Sequence, residues 1–225
     1  AVDVSSNGKV VVFSSAATNW EPGDSYSGDR AVAYDLATGM AEVVSATAQG
    51  VVMRGEHPSV SSDGRYVAFL TYASAFGPGW QVLRKDRLTG ELVLASSDGI
   101  GQAAAGNGTD DDTVSISGNG RYVAIETGAT NFGLPPGSWP EIYVKDMVTG
   151  GVKLVSAKAD GSPSGGECNL FPHALSDDGR YITFQCNQPV LASAGYGQAY
   201  VRDLVTNTTQ VVSRICANGA SSTAA

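Results

Sequence analysis

The chain is poor in the residue types that do chemistry. It has two histidines, His57 and His173, and three cysteines, Cys168, Cys186 and Cys216. An imidazole-based metal centre needs at least three protein ligands, and no third partner accompanies the two histidines. Asp110, Asp111 and Asp112 form an acidic run, readable as a cation site or as solvated charge. The segment Gly161-Ser162-Pro163-Ser164-Gly165 puts proline where a nucleophile elbow needs its serine. No glycine-rich phosphate loop leads into a helical pattern. Paired carboxylates can meet in space without any sequence signal, so a hydrolase or lyase stays open as one reading. The formal charge of −8 disfavours nucleic acid, whose phosphates attract Lys/Arg clusters. Membrane insertion is not expected, because no apolar run approaches the ~20 residues that span a bilayer. A charged and then apolar leader is also missing at Ala1, so an exported form would be a mature or excised one.

The elements that would position any site come from an internal repeat. Four segments align: VDVSSNGKVVVF (2–13), PSVSSDGRYVAF (58–69), VSISGNGRYVAI (114–125) and HALSDDGRYITF (173–184). Each is followed by a second signature, VAYDLATG (32–39), VLRKDRLTG (82–90), IYVKDMVTG (142–150) or AYVRDLVTN (199–207). A short apolar stretch then ends at serine: EVVS (42–45), LVLAS (92–96), KLVS (153–156) and QVVS (210–213). Asn-Gly or Asp-Gly between alternating apolar residues is the strongest short hairpin signal, because both residues accept positive φ. In the second signature Asp35, Asp86, Asp146 and Asp203 can bond the turn amides that follow. Gly39, Gly90, Gly150 and Asn207 then take the left-handed position. Each copy reads as four antiparallel strands, A to D, with tight A–B and C–D turns and a long B–C loop. Radial repetition of such units is a β-propeller, with a β-sandwich as the competing architecture.

The motifs S-x-D-G-R-Y-V-A-F and Y-V-x-D-x-x-T-G resemble the WD40-like (PD40) repeats of TolB-like propellers, over nearly the whole chain. The resemblance implies an all-β propeller of four four-stranded antiparallel blades, or a four-blade portion of a larger one. It also implies a bacterial secreted, periplasmic or cell-envelope protein. Residues 1–225 are expected to form one propeller domain with blades near 1–45, 58–96, 112–156 and 172–213. The tail 214–225 looks like an interblade loop, so the chain holds a whole number of repeats. The loop NWEPGDSYSGD (19–29) resembles a loop of many PD40 blades. Its Asn19, Asp24 and Asp29 are candidate oxygen ligands for Ca²⁺, against the alternative of a solvated loop. Lyases of the TolB-like group use a histidine-rich metal centre that this chain does not match.

Blade topology gathers the B–C and D–A loops on one face, and long loops in a compact domain usually carry function. Trp20, Trp80 and Trp139 all lie in them, and Tyr196 is the blade 4 counterpart of Trp139. These four rings are the candidate ligand-binding residues, stacking on sugars or anchoring a protein; the competing reading is that they cap gaps between blades. Cys168 and Cys186 flank the Asp178-Gly179 turn almost symmetrically, which predicts a cross-strand disulfide and an oxidising compartment. Lys9, Arg65, Arg121 and Arg180, one after each A–B turn, are expected to pair with neighbouring carboxylates. The functional expectation is a non-catalytic extracytoplasmic scaffold binding a protein or glycan through the loop face. A structural subunit joining head to tail into a filament through open blade edges is the alternative.

Overall fold

The computed structural model describes residues 1–20, 26–105, 113–213, 216–217 and 220–221. Among them, four antiparallel sheets of four strands each follow one another along the chain. Blade 1 holds β1 (Val2–Val4), β2 (Val10–Ser15), β3 (Arg30–Asp35) and β4 (Ala41–Val43). Blade 2 holds β5 (Glu56–Val60), β6 (Tyr66–Thr71), β7 (Gln81–Asp86) and β8 (Leu92–Leu94). Blade 3 holds β9 (Ser115–Ile116), β10 (Tyr122–Thr127), β11 (Glu141–Asp146) and β12 (Val152–Leu154). Blade 4 holds β13 (Cys168–Asn169), β14 (Tyr181–Cys186), β15 (Gln198–Asp203) and β16 (Thr208–Val211), so it starts ahead of residue 172. A short hairpin of β17 (Cys216–Ala217) and β18 (Ala220–Ser221) lies in the tail. Among the described residues the helical content is two single 3-10 turns, Ser74–Phe76 and Thr130–Phe132, both inside B–C loops.

The repeated motifs build the turns. Ser5, Ser61, Ser117 and Ser176 accept at Oγ the N–H of Val10, Tyr66, Tyr122 and Tyr181, 2.9–3.0 Å away. The Asn or Asp before each glycine accepts the N–H of the Lys or Arg after it at 2.9 Å. In the C–D turns Asp35, Asp86, Asp146 and Asp203 accept amides two residues on, at 2.8–2.9 Å. Asn207 takes φ +60° where the other copies use glycine, as its tolerance of that region predicts.

Three of the expected ion pairs form, each running from the guanidinium after an A–B turn to the strand C carboxylate of its own blade. Arg65–Asp86, Arg121–Asp146 and Arg180–Asp203 all close at 2.7 Å. The Arg65 side-chain hydrogen bonds push Asp86 down to about 2. A depressed folded-state pKa gives stability that is full above the ordinary carboxylate value near 4 and is lost as pH falls through the folded value. Arg65→Gln is therefore expected to be less stable than the native chain at pH 5–7. The difference should close between pH 4 and 2, as read by urea unfolding at stepped pH.

Sheet stacks on sheet through three apolar cores. Val10, Val12, Ala33, Val60, Phe69 and Leu83 join blades 1 and 2. Ala68, Val82, Ile116, Val123, Ile125 and Tyr143 join blades 2 and 3. Ile142, Val144, Ile182, Phe184, Leu204 and Tyr200 join blades 3 and 4. Each interface carries two polar straps as well. Near the axis, the residue five before the turn glycine accepts an N–H from the next blade. Asp3 takes that of Val60 at 2.9 Å, Ser59 that of Ile116 at 3.4 Å, and Ser115 that of Leu175 at 3.3 Å. Farther out, the residue before the strand C aspartate is a cation reaching back to the preceding blade. Lys85 bonds the Ala46 carbonyl at 2.8 Å, Lys145 that of Asp98 at 2.9 Å, and Arg202 that of Ala157 at 3.3 Å.

The meeting of blade 4 with blade 1 is built differently. His173 Nε2 lies 2.8 Å from Asp3 Oδ1, so the two blades touch at the axis. Ser62 of blade 2 donates its Oγ–H to Asp177 of blade 4 across the turn face at 2.8 Å. Beside Asp3 on the same strand, Val2 is 74% and Val4 50% exposed. Ala174 stands at the acceptor position of blade 4 and Tyr34 at the cation position of blade 1. Both strap positions are thus replaced at this seam.

Candidate binding face

The described parts of the B–C loops, 16–20, 26–29, 72–80, 128–140 and 187–197, share one face with the described D–A connections. The serine that closes each third signature pins this face to the sheet. Ser45, Ser96, Ser156 and Ser213 accept at Oγ the N–H of Ala31, Val82, Ile142 and Ala199, at 2.9–3.1 Å. The hydroxyl proton then goes to the first residue of strand C: Ser96 to Gln81 at 2.6 Å, Ser213 to Gln198 at 2.7 Å, and Ser156 to Glu141. Glu141 is buried and also accepts from Ser164 Oγ at 2.8 Å and Gly165 N at 3.1 Å. Burial pushes its carboxyl above the ordinary range. With three donors around it, Glu141 holds the loop base and faces no open site. Arg30 fills the same position in blade 1, donating to the carbonyls of Ala17 and Tyr26.

The four candidate rings divide into two kinds. Trp20 packs edge-on against Phe13 at 5.5 Å and donates Nε1–H to Ser15 Oγ at 3.3 Å. Trp80 packs edge-on against Tyr72 at 5.5 Å, with the Arg54 guanidinium 4.6 Å over its ring. Arg54 is itself held by Glu56 at 2.5 Å. Trp20 is thus engaged by strand β2 of its own blade, while Trp80 also packs against the core between blades 2 and 3. Trp139 and Tyr196, immediately ahead of β11 and β15, are 58% and 73% exposed. Phe171 adds another exposed ring from the D–A side.

The predicted disulfide is present. Cys168 and Cys186 are direct cross-strand partners, both fully buried, joined at 2.01 Å. Of the calcium candidates, Asn19 is exposed and the Asp29 carbonyl accepts the Gly55 N–H at 3.0 Å. Asp24 lies outside the described residues, as do Asp110, Asp111 and Asp112. His57 and His173 both adopt positive φ, +48° and +56°, where strand A enters its blade. Among the described residues no three His, Cys, Asp or Glu side chains gather as metal ligands. Nor, among the described residues, is any helix long and apolar enough to cross a membrane.

The arrangement of blades matches solved structures. TolB from Acinetobacter baumannii aligns over 94% of this chain and 42% of its own, with a TM-score of 0.55 at 18% identity. The fold is that of the TolB-like propellers. A putative TolB from Agrobacterium tumefaciens aligns over 92% of this chain and 62% of its own, with a TM-score of 0.55 at 9% identity. The acylaminoacyl peptidase of Pyrococcus horikoshii aligns over 97% of this propeller and 34% of its own length, with a TM-score of 0.54 at 12% identity. This propeller therefore spans less than two thirds of the structures it resembles. No family model matches it, and no curated protein matches its sequence. At these identities the likeness concerns the fold, which serves many roles.

Proposed function

We propose that this propeller is a non-catalytic extracytoplasmic scaffold that engages a protein partner through its long-loop face. The observation that carries the reading is the exposure of Trp139 and Tyr196. They sit at equivalent positions of neighbouring blades, each just ahead of a strand fixed by a serine anchor. Rigidly based aromatic rings give large contact area at low entropic cost, which is why they dominate binding hot spots. The buried Cys168–Cys186 bond supports an oxidising compartment. Head-to-tail assembly through blades 1 and 4 has Val2 and Val4 in its favour, but Tyr34 and Ala174 leave that contact without either strap.

The test is a Trp139→Ala/Tyr196→Ala double variant, compared with the native chain in affinity capture and on a glycan array. Its melting temperature is expected to stay within about 2 °C, since surface changes seldom exceed ±0.5 kcal/mol. A protein retained by the native chain and lost by the variant supports the proposal. An array glycan lost in the same way would replace the protein partner with a carbohydrate. Retention indifferent to both rings would overturn the loop-face reading.

A further inference from the structure

Comparison of successive interblade gaps points to a second site, on the tight-turn face. In the gap between blades 2 and 3, Arg84 of β7 lays its guanidinium 4.7 Å over the Tyr66 ring. The same group donates Nη1–H to the Gly120 carbonyl at 2.8 Å. Arg65 covers Tyr66 as well, at 4.8 Å, so this tyrosine carries two guanidinium groups. Burial disfavours the charged form of Arg84, while the neighbouring Tyr66 and Glu91 favour it.

The next gap repeats the frame without the filling. Tyr122 replaces Tyr66 and Gly179 replaces Gly120. A Cβ on either glycine would lie 2.1 Å from the facing tyrosine ring, so both turns seat on their ring alike. Arg121 covers Tyr122 at 5.0 Å, as Arg65 covers Tyr66. The residue at the Arg84 position is Val144, and the residue at the Glu91 position is Gly151. Both charged side chains are thus absent here, and a cavity of about 450 Å³ stands between blades 3 and 4. Tyr122, Val144, Gly151, Asp178 and Gly179 line it. Lys153 and Arg180, also on its wall, are both engaged, the ammonium with the Leu204 carbonyl and the guanidinium with the Asp203 carboxylate at 2.7 Å.

We propose that this cavity binds the guanidinium of an arginine side chain from a polypeptide partner, in the position that Arg84 occupies one gap earlier. The aromatic face attracts a planar cation, and guanidinium prefers such stacking to ammonium. The Gly179 carbonyl offers the acceptor that Gly120 offers Arg84. The chain's net charge of −8 adds a long-range attraction. This site lies on the face opposite the exposed Trp139 and Tyr196, so it stands or falls independently of the loop-face proposal.

The probe is N-acetyl-arginine methylamide, titrated by NMR against the native chain, with the citrulline and lysine analogues as controls. Saturable shifts at the Tyr122 ring and Gly179 amide are expected, with at least tenfold weaker binding of the neutral citrulline analogue. Val144→Arg should fill the cavity with the molecule's own Arg84 arrangement, abolish binding, and keep or raise the melting temperature. Gly151→Glu restores the carboxylate found beside Arg84 and should tighten arginine binding at least threefold; it decides the matter should Val144→Arg fail to fold. Non-saturating binding by the native chain overturns the site. So does equal binding of the citrulline analogue, or arginine binding that neither substitution moves.

Discussion

Phe69→Ala is expected to be the most damaging single truncation, costing about 3–5 kcal/mol. The ring is fully buried between blades 1 and 2, on the face of β6 shared with Leu83 and Val60. The cavity it leaves cannot close, because sheet spacing is held by the Asp3–Val60 and Lys85–Ala46 straps on either side. Stacked repeats gain stability from nearest-neighbour interfaces, so the loss should fall on blade 1, whose only apolar core among the described residues is this one. Thermal unfolding followed by hydrogen exchange should show blade 1 amides opening well before those of blades 3 and 4. Uniform opening across all blades would contradict the separate-core reading.

Removing the disulfide is the second large effect. Cys168 and Cys186 are 18 residues apart, and closing a loop of that size is worth roughly 3 kcal/mol of unfolded-state entropy. For a chain of this length that corresponds to a fall in melting temperature of about 6–12 °C in the Cys168→Ala/Cys186→Ala variant. The bond matters more than its strand suggests. β13 has only two residues, and pairing resumes at the isolated Leu175–Ile182 bridge after a detour through His173. Because both sulfurs are buried, reductant should act on the native protein only at the rate of local opening. A loss below about 2 °C would mean that blade 4 holds its inner strand without the cross-link.

The fold was legible because its signals are local. Asn-Gly and Asp-Gly turns, the Asp-x-x-Thr-Gly hairpin and the left-handed Asn207 each need only a few consecutive residues. The cysteine pairing followed from the position of one turn. The loop rings were read less well, since their fates depend on neighbours brought from other segments. Nothing near Trp80 in sequence announces Arg54, whereas Trp20 turns back onto Phe13 of the strand just before it. The straps were missed altogether. Asp3, Ser59 and Ser115 look like ordinary strand residues, and their partners lie 57 to 60 residues away. Only aligning the four copies column by column, and asking why one column reads Asp, Ser, Ser, Ala and another Tyr, Lys, Lys, Arg, would have found them. The Arg84-to-Val144 change has the same character. It is invisible within one blade and meaningful only against the next.

Those two columns give the blades a grammar. Blades 2 and 3 each carry both parts of speech, an acceptor offered forward and a cation returned backward. Blade 1 can only be followed, and blade 4 can only follow. Exchanging blades 2 and 3, or inserting another copy of either, would leave every junction with its pair of straps. Moving blade 4 inward would bring Ala174 to an internal junction and silence one of them. Which sheets stand first and last is therefore written into two residue positions per copy, separately from the apolar cores that hold the sheets together.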